Sequence, residues 1–220
     1  MPGPADPPNP SDTALLEAWA RGEAPAGVSL VQRHYDTVFT FFANKVGDDE
    51  AAELTQDTFT GLVEALDRFR RHSSVRTFIF AIARWKLVEY FRRQSAQRRR
   101  FVTLEGPTDD GDEPPALSAT LGSWLEGRRQ ESLLVVALRS LPLDDQILLE
   151  LKGYEELTLR ELAEVFDTPV GTIASRIRRT RERLERTIRE LADNPELAEE
   201  TLTGLDTYMK ALRALPQHPR

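Results

Sequence analysis

The chain contains no cysteine. Structural disulfides and thiolate metal sites are thereby excluded, and a reducing cytoplasmic setting is the expectation. Histidine is nearly as scarce: His34, His72 and His218 stand far apart with no ligand-like spacing, so no metal site is expected from them. The acids Asp48, Asp49, Glu50, Glu53 and Asp57 crowd one stretch, but their spacing gives no complete octahedral set. Neither a cofactor nor an enzymatic activity is expected. No apolar run approaches a membrane span, and the opening MPGPADPPNPSD lacks the basic start and apolar core of an export signal. Strand-period alternation and internal repeats are missing as well, which leaves an all-α chain. An overall excess of positive charge is also lacking, since the net charge is -7. Any nucleic-acid role has to rest on clustered bases.

Such a cluster is present. Leu157 to Arg189 reads LTLRELAEVFDTPVGTIASRIRRTRERLERTIR, a helix, a tight turn and a second helix. Thr158 followed by Glu161 makes a capping box, and Leu159, Leu162, Ala163 and Phe166 recur at helical spacing. For the second helix Thr168 is the expected cap and Pro169 the first helical residue, with Ile173, Ile177, Leu184 and Ile188 along one face. The remaining faces carry arginine: between Arg176 and Arg189 there are seven, against the two acids Glu182 and Glu185. A basic amphipathic helix on its own is often a solvated surface. The short helix and the restart after Asp167 add the spacing of a helix-turn-helix, whose second helix enters the major groove.

Residues 1–11 are rich in proline and small residues and read as a disordered arm. Helices are expected from Ser11 and Asp12 to Gly22, from about Leu30 to Val46 after a loop through Pro25 and Gly27, and from Asp48 to about Phe69. A basic loop, Arg70 to Arg76, precedes a helix from Thr77 to Arg93 that is apolar on every side, with Arg84, Lys86, Arg92 and Arg93 interleaved. That makeup suits either a helix buried between neighbours or aromatic faces that stack on unpaired bases. These helices make a first domain over 12–100. Residues 101–127 hold six acids and no base with several prolines and glycines, a flexible linker kept extended by self-repulsion. A second, four-helix domain over 128–191 ends in the helix-turn-helix, and a helical extension, capped by Asn194 and Pro195, fills 192–220.

AAELTQDTFTGLVEALDRF (Ala51 to Phe69), SSVRTFIFAIARWKLVEYFRR (Ser73 to Arg93), ALRSLP (Ala137 to Pro142) and LTLRELAEVFDTPVGTIASRIRRTRERL (Leu157 to Leu184), in this order around an acidic linker, resemble the bacterial RNA polymerase sigma factors of the sigma-70 family, specifically the two-domain extracytoplasmic-function (ECF) group. The resemblance covers about residues 12 to 190. It implies a factor that binds core RNA polymerase and directs promoter recognition, DNA melting and transcription initiation, and it admits an anti-sigma factor as a further partner. It implies that Glu53, Leu54, Gln56 and Asp57 contact the polymerase. It implies that the start-proximal promoter element, with a flipped base, is met by Arg70, Arg71, Ser73, Ser74, Val75 and Arg76, together with Arg84, Trp85 and Lys86. The start-distal element falls by the same resemblance to Ala174, Ser175, Arg178 and Arg179 at base edges and to Thr172, Arg176 and Arg181 at phosphates. Ala174 and Trp85 depart from the family pattern, which commonly has a basic residue and an asparagine there.

The competing reading is a stand-alone helix-turn-helix regulator whose N-terminal half senses a ligand or binds a protein. It would bind its operator without polymerase. The resemblance also implies that the linker runs along the polymerase's RNA path. The extension, with Leu197, Leu205, Met209 and Leu212 on one side, either restrains the two domains or stabilises the chain by packing.

Overall fold

The computed structural model describes residues 10–66, 73–102 and 129–211, and every element among them is a helix or a turn. The arm before Pro10, Arg70 and Arg71, the linker beyond Val102 and the end of the extension lie outside the described residues.

Four helices form the first domain: α1 (Asp12–Ala20), α2 (Ala24–Ala43), α3 (Asp48–Glu64) and α4 (Val75–Val102). Ser11 caps α1 by accepting from the Ala14 N–H at 3.2 Å, and Gly22 follows its end at φ +93°, a conformation that glycine takes without strain. The loop expected through Pro25 and Gly27 is helical instead. Pro25 lies in the first turn of α2, where a missing N–H is harmless, and a Cβ on Gly27 would stand 2.4 Å from Trp19 Cε2. Gly27 is therefore a packing point for α1 against α2. The three acids that open α3 meet the positive end of its dipole, and Thr55 and Thr58 satisfy their buried hydroxyls on the carbonyls of Ala51 and Leu54. Phe41, Phe42, Leu62, Ile79, Phe80 and Leu87 fill the centre, with Phe41 edge-on to both Phe42 and Phe80. Helix α4 runs beyond the expected end at Arg93, because Gln94 to Val102 contains no glycine or proline to stop it.

The second domain holds α5 (Arg129–Arg139), α6 (Leu143–Gly153), α7 (Leu159–Val165), α8 (Val170–Leu191) and α9 (Pro195–Ala211). The capping box forms as expected, with Thr158 Oγ1 accepting from the Glu161 N–H and the Glu161 carboxylate accepting from the Thr158 N–H. The cap of α8 differs from the expectation. Thr168 turns its hydroxyl back to the Phe166 carbonyl at 2.9 Å, and Pro169 is the capping residue whose carbonyl accepts from the N–H groups of Thr172 and Ile173. Asp167, at φ 48°, makes the sharp turn between the two helices, a conformation aspartate tolerates better than most residues. Asn194 caps α9 through its Oδ1 on the Leu197 N–H, and α9 lies on α5, α6 and α8. Leu133, Leu134, Ala137, Leu141, Leu184, Ile188 and Ala198 share a cluster there, so the described part of the extension packs on the second domain.

The two domains touch along α4 and α7. One continuous apolar cluster includes Ile79, Phe80 and Leu87 of the first domain with Leu157, Leu162 and Phe166 of the second. Arg84, Arg76 and Lys45 hold this contact at its margins, each on a carboxylate of the second domain.

Candidate polymerase and nucleic-acid interfaces

Three surfaces carry the residues singled out in the sequence. On α3 the burial alternates at helical spacing: Leu54, Thr55, Thr58 and Phe59 face the core, while Glu53, Gln56, Asp57 and Thr60 are exposed. Leu54, expected among the polymerase contacts, is only 6% exposed and belongs to the core cluster. What remains outside is a polar face bearing two carboxylates. Asp57 pairs with Lys86 of α4 across 3.7 Å, an exposed contact of small energetic weight.

The second surface begins where α4 begins. Ser74 Oγ accepts from the Thr77 N–H at 3.0 Å and closes the first turn. Ser73 is half-buried, Ser74 exposed and Val75 buried, so Val75 is a core residue and presents nothing to a base. Ten residues beyond the start of α4 the ring of Trp85 stands in solvent at 57% exposure, with Lys86 Nζ 5.5 Å from its centroid. The helix expected to be apolar on every side thus buries Ile79, Phe80, Ala83 and Leu87 and offers one large ring outward.

Arg76 and Arg84, expected at the same surface, are turned to the second domain. Arg76 donates to the Glu155 carbonyl at 2.9 Å and to its carboxylate. Arg84 holds Asp144 with two donors at 3.0 and 2.8 Å, while its guanidinium lies 4.4 Å from the Phe166 centroid. Thr77 donates to Glu161 at 3.3 Å, so its partner Ser74 is the donor in the bond between the two hydroxyls. Burial opposes ionisation of Glu161, but hydrogen bonds from Thr158 and Thr77 outweigh it and hold its carboxyl below the usual range. On the far side of the contact Lys45 is buried over the Phe41 ring, donating to the Phe41 carbonyl at 2.6 Å and to Glu150. Burial lowers the Lys45 ammonium, with Glu150 opposing that shift. Asn44 donates to the same Glu150 at 3.1 Å, and Arg139 reaches the Asn44 carbonyl at 3.0 Å.

The third surface is α8. Thr172, Ala174, Arg178, Arg179 and Arg181 are exposed and Ser175 is half-buried, its hydroxyl donating to the Thr172 carbonyl. Arg178 pairs with Glu182 one turn on at 2.9 Å, an exposed contact that a stronger acceptor would displace. Arg176 is different. Its Nε donates to Asp145, itself 8% exposed, at 2.9 Å, its guanidinium lies against Phe166, and Arg183 takes the other Asp145 oxygen at 3.1 Å. The residue expected on a phosphate thus ties α8 to α6. Sequence reasoning missed the charged members of this set altogether: Lys45, Asp144, Asp145, Glu150 and Glu155. The only signal for it was the pair of acids opening α6, which local reading assigns to the helix dipole.

Two family matches fall on these elements. Sigma-70 region 2 matches residues 30–97, from within α2 through most of α4, and sigma-70 region 4 matches residues 132–184, from α5 through the basic part of α8. Between them they cover more than half of the chain, in the order in which the sequence motifs occur. The chain belongs to the sigma-70 family, in the ECF group. As a sigma factor it has relatives along most of its length. The ECF RNA polymerase sigma-E factor of Escherichia coli strain K12 is 29% identical over 191 residues, covering 82% of this chain and 96% of the relative. That of Haemophilus influenzae is 27% identical over 191 residues, with 82% and 97% covered. Among solved structures, CnrH in complex with the cytosolic domain of CnrY has a TM-score of 0.59 at 19% identity, covering 82% of this sigma factor and 99% of that chain. The sigma factor RpoE in complex with the anti-sigma factor NepR from Bartonella quintana has a TM-score of 0.51 at 21% identity, with 76% and 96% covered. These two support the fold. Helices α1 and α9 lie outside both family matches, and no described helix is long and apolar enough to cross a membrane.

Proposed function

We infer that this sigma factor binds core RNA polymerase and directs promoter recognition, DNA melting and transcription initiation in the cytoplasm, with no catalysis of its own. The observation that carries the reading is the pairing, on one chain, of region 2 with its outward Trp85 and region 4 with its exposed arginines on α8. A large exposed ring beside Lys86 suits a base taken out of its stack, because every base offers a π-face and the cation serves the backbone. Ser73, Ser74, Arg76 and Arg84 would surround that base, and Arg70 and Arg71, shortly before them in the sequence, are proposed for the same element. On α8, Ala174, Ser175, Arg178 and Arg179 would read base edges in the major groove, and Thr172 and Arg181 would take phosphates. Arg176 has an internal task on Asp145 and is left out of that set.

The polar face of α3, Glu53, Gln56 and Asp57, is the proposed attachment to core polymerase, since its apolar stripe is already used for packing. The two solved structures compared above are complexes with a second protein, NepR being an anti-sigma factor, and we assign a protein regulator of that kind to this chain as well. Proposed boundaries are 12–100 for the domain at the start-proximal element and 128–191 for the domain at the start-distal element. A DNA shift assay with and without core polymerase separates this function from a stand-alone regulator. Specific binding that requires core, followed by transcripts from a defined start, is the expected result. Tight specific binding by the chain alone, with no initiation when core is added, would overturn it.

A further inference from the structure

We propose that Arg183, which lies outside the expected start-distal set, is a further DNA-phosphate contact of α8, and that Asp145 of α6 is the positioning residue that holds its guanidinium in place. The inference rests on the reading of α8 as the helix that enters the major groove at the start-distal element. Asp145 is only 8% exposed, and α8 takes both of its oxygens. Arg176 lies on Oδ1 with Nε at 2.9 Å and Nη2 at 2.8 Å, which neutralises the buried charge. Arg183 donates through Nη1 to Oδ2 at 3.1 Å, yet its side chain remains 52% exposed. A guanidinium carries five N–H donors, so this one bond leaves Arg183 able to grip an anion as well.

The place of Arg183 on the helix fits that task. Arg179, Arg183 and Arg186 are exposed and recur at spacings of four and three, so they share one edge of α8. At the helical rise Arg183 stands about 6 Å further along the axis than Arg179. That step leads from the residues proposed at base edges toward the rim of a groove about 12 Å wide, where the phosphates are. A free arginine loses much side-chain freedom when it grips a phosphate, and an anchor made beforehand removes part of that cost. Asp145 is such an anchor. Because Arg176 already balances its charge, the carboxylate can brace Arg183 with little net repulsion of DNA. As a stabiliser of the fold the same pair has small weight, since Arg183 is half in solvent.

The test is promoter binding by holoenzyme as a function of salt concentration, on the promoter and on a copy altered in its start-distal element. Loss of one phosphate contact lowers the slope of log affinity against log salt by about 1, and Arg183→Ala should show that drop. It should also weaken binding about two- to tenfold on both DNAs alike. Arg178→Ala, in contrast, should lose mainly the preference between them. Arg183→Lys should restore the slope but not the full affinity, since an ammonium has no fork to rest on Asp145 while it holds a phosphate. Asp145→Asn should weaken binding in the same direction, and Arg183→Ala should add little to it. A folded Arg183→Ala chain with unchanged affinity and slope would overturn the phosphate contact, whatever its melting temperature. Full affinity in Arg183→Lys, or in folded Asp145→Asn, would overturn the positioning by Asp145; should Asp145→Asn fail to fold, the lysine variant decides. Absence of specific promoter binding by the wild-type holoenzyme would instead refute the reading of function.

Discussion

Arg178 and Arg179 differ from Arg176 in what they are free to do, although all three lie within one turn of α8. The first two project from an exposed face, so replacing either with alanine should cost about 1 to 3 kcal/mol of promoter binding by holoenzyme if each makes a good base contact. Arg186→Ala should cost less, and equal losses at all three positions would reduce α8 to a generic basic surface. Arg176→Ala should act on folding, because it leaves the buried Asp145 short of a donor; a loss of about 1 to 3 kcal/mol in a denaturant titration is expected. The contrast between exposed and inward arginines was not legible in the sequence. Seven arginines at mixed spacing look alike until Asp145 of α6, far back in the chain, is brought beneath two of them, Arg176 and Arg183. Two carboxyls also predict a pH response. Burial opposes ionisation of Asp12, but its bonds to Arg33 and His34 lower its value, and Glu161 is lowered likewise. A group held lower in the folded chain contributes stability above its unfolded value, near pH 4, and loses it as pH falls through the folded one. The melting temperature should therefore fall as the pH is taken below about 4, and Asp12→Asn should remove part of that fall.

Among the elements, local chemistry was read correctly at most helix ends, the exception being the start of α8, where Thr168 turns its hydroxyl back to the Phe166 carbonyl and Pro169 caps instead. Ser11, the Thr158 and Glu161 capping box, Gly22 and Asn194 mark their helix ends as expected, because a cap bonds within three residues of itself. The start of α2 was misread since Pro25 and Gly27 are breakers in general, while Pro25 falls in a first turn and Gly27 is required by the Trp19 ring packed on it. The same ring gives a test: Gly27→Ala should destabilise α1 against α2 by about 1 to 3 kcal/mol, the cost of overpacking, with the melting temperature as readout. The extension is the other element with a clear consequence. Because α9 packs through Leu197, Ala198 and Leu202 on the second domain, truncation after Leu191 should lower the melting temperature without raising transcription. A truncated chain that keeps its stability and gains activity at limiting core would make the extension a restraint.

At the scale of the molecule, the sequence carried the family, the all-α class and the order of region 2 before region 4, while the relation between the domains was beyond it. Pairs such as Arg84 with Asp144 or Arg76 with Glu155 join residues 60 and 79 positions apart, and no periodicity encodes such a pairing. The polymerase face is a case between the two. Glu53, Gln56 and Asp57 face outward, whereas Leu54, which the family resemblance also set at the polymerase, completes the apolar side of α3 and lies in the core. Glu53→Lys with Asp57→Lys should weaken core binding and leave helical content intact; native affinity in the folded double variant would remove α3 from that role. The central claim, that this chain confers promoter-directed initiation through region 2 and region 4 together, is tested most directly by sequencing the transcripts made by reconstituted holoenzyme on genomic DNA. The account predicts starts that share a paired upstream sequence and depend on both the Trp85 and the Arg178 side chains. Starts no different from those of core polymerase alone would contradict it.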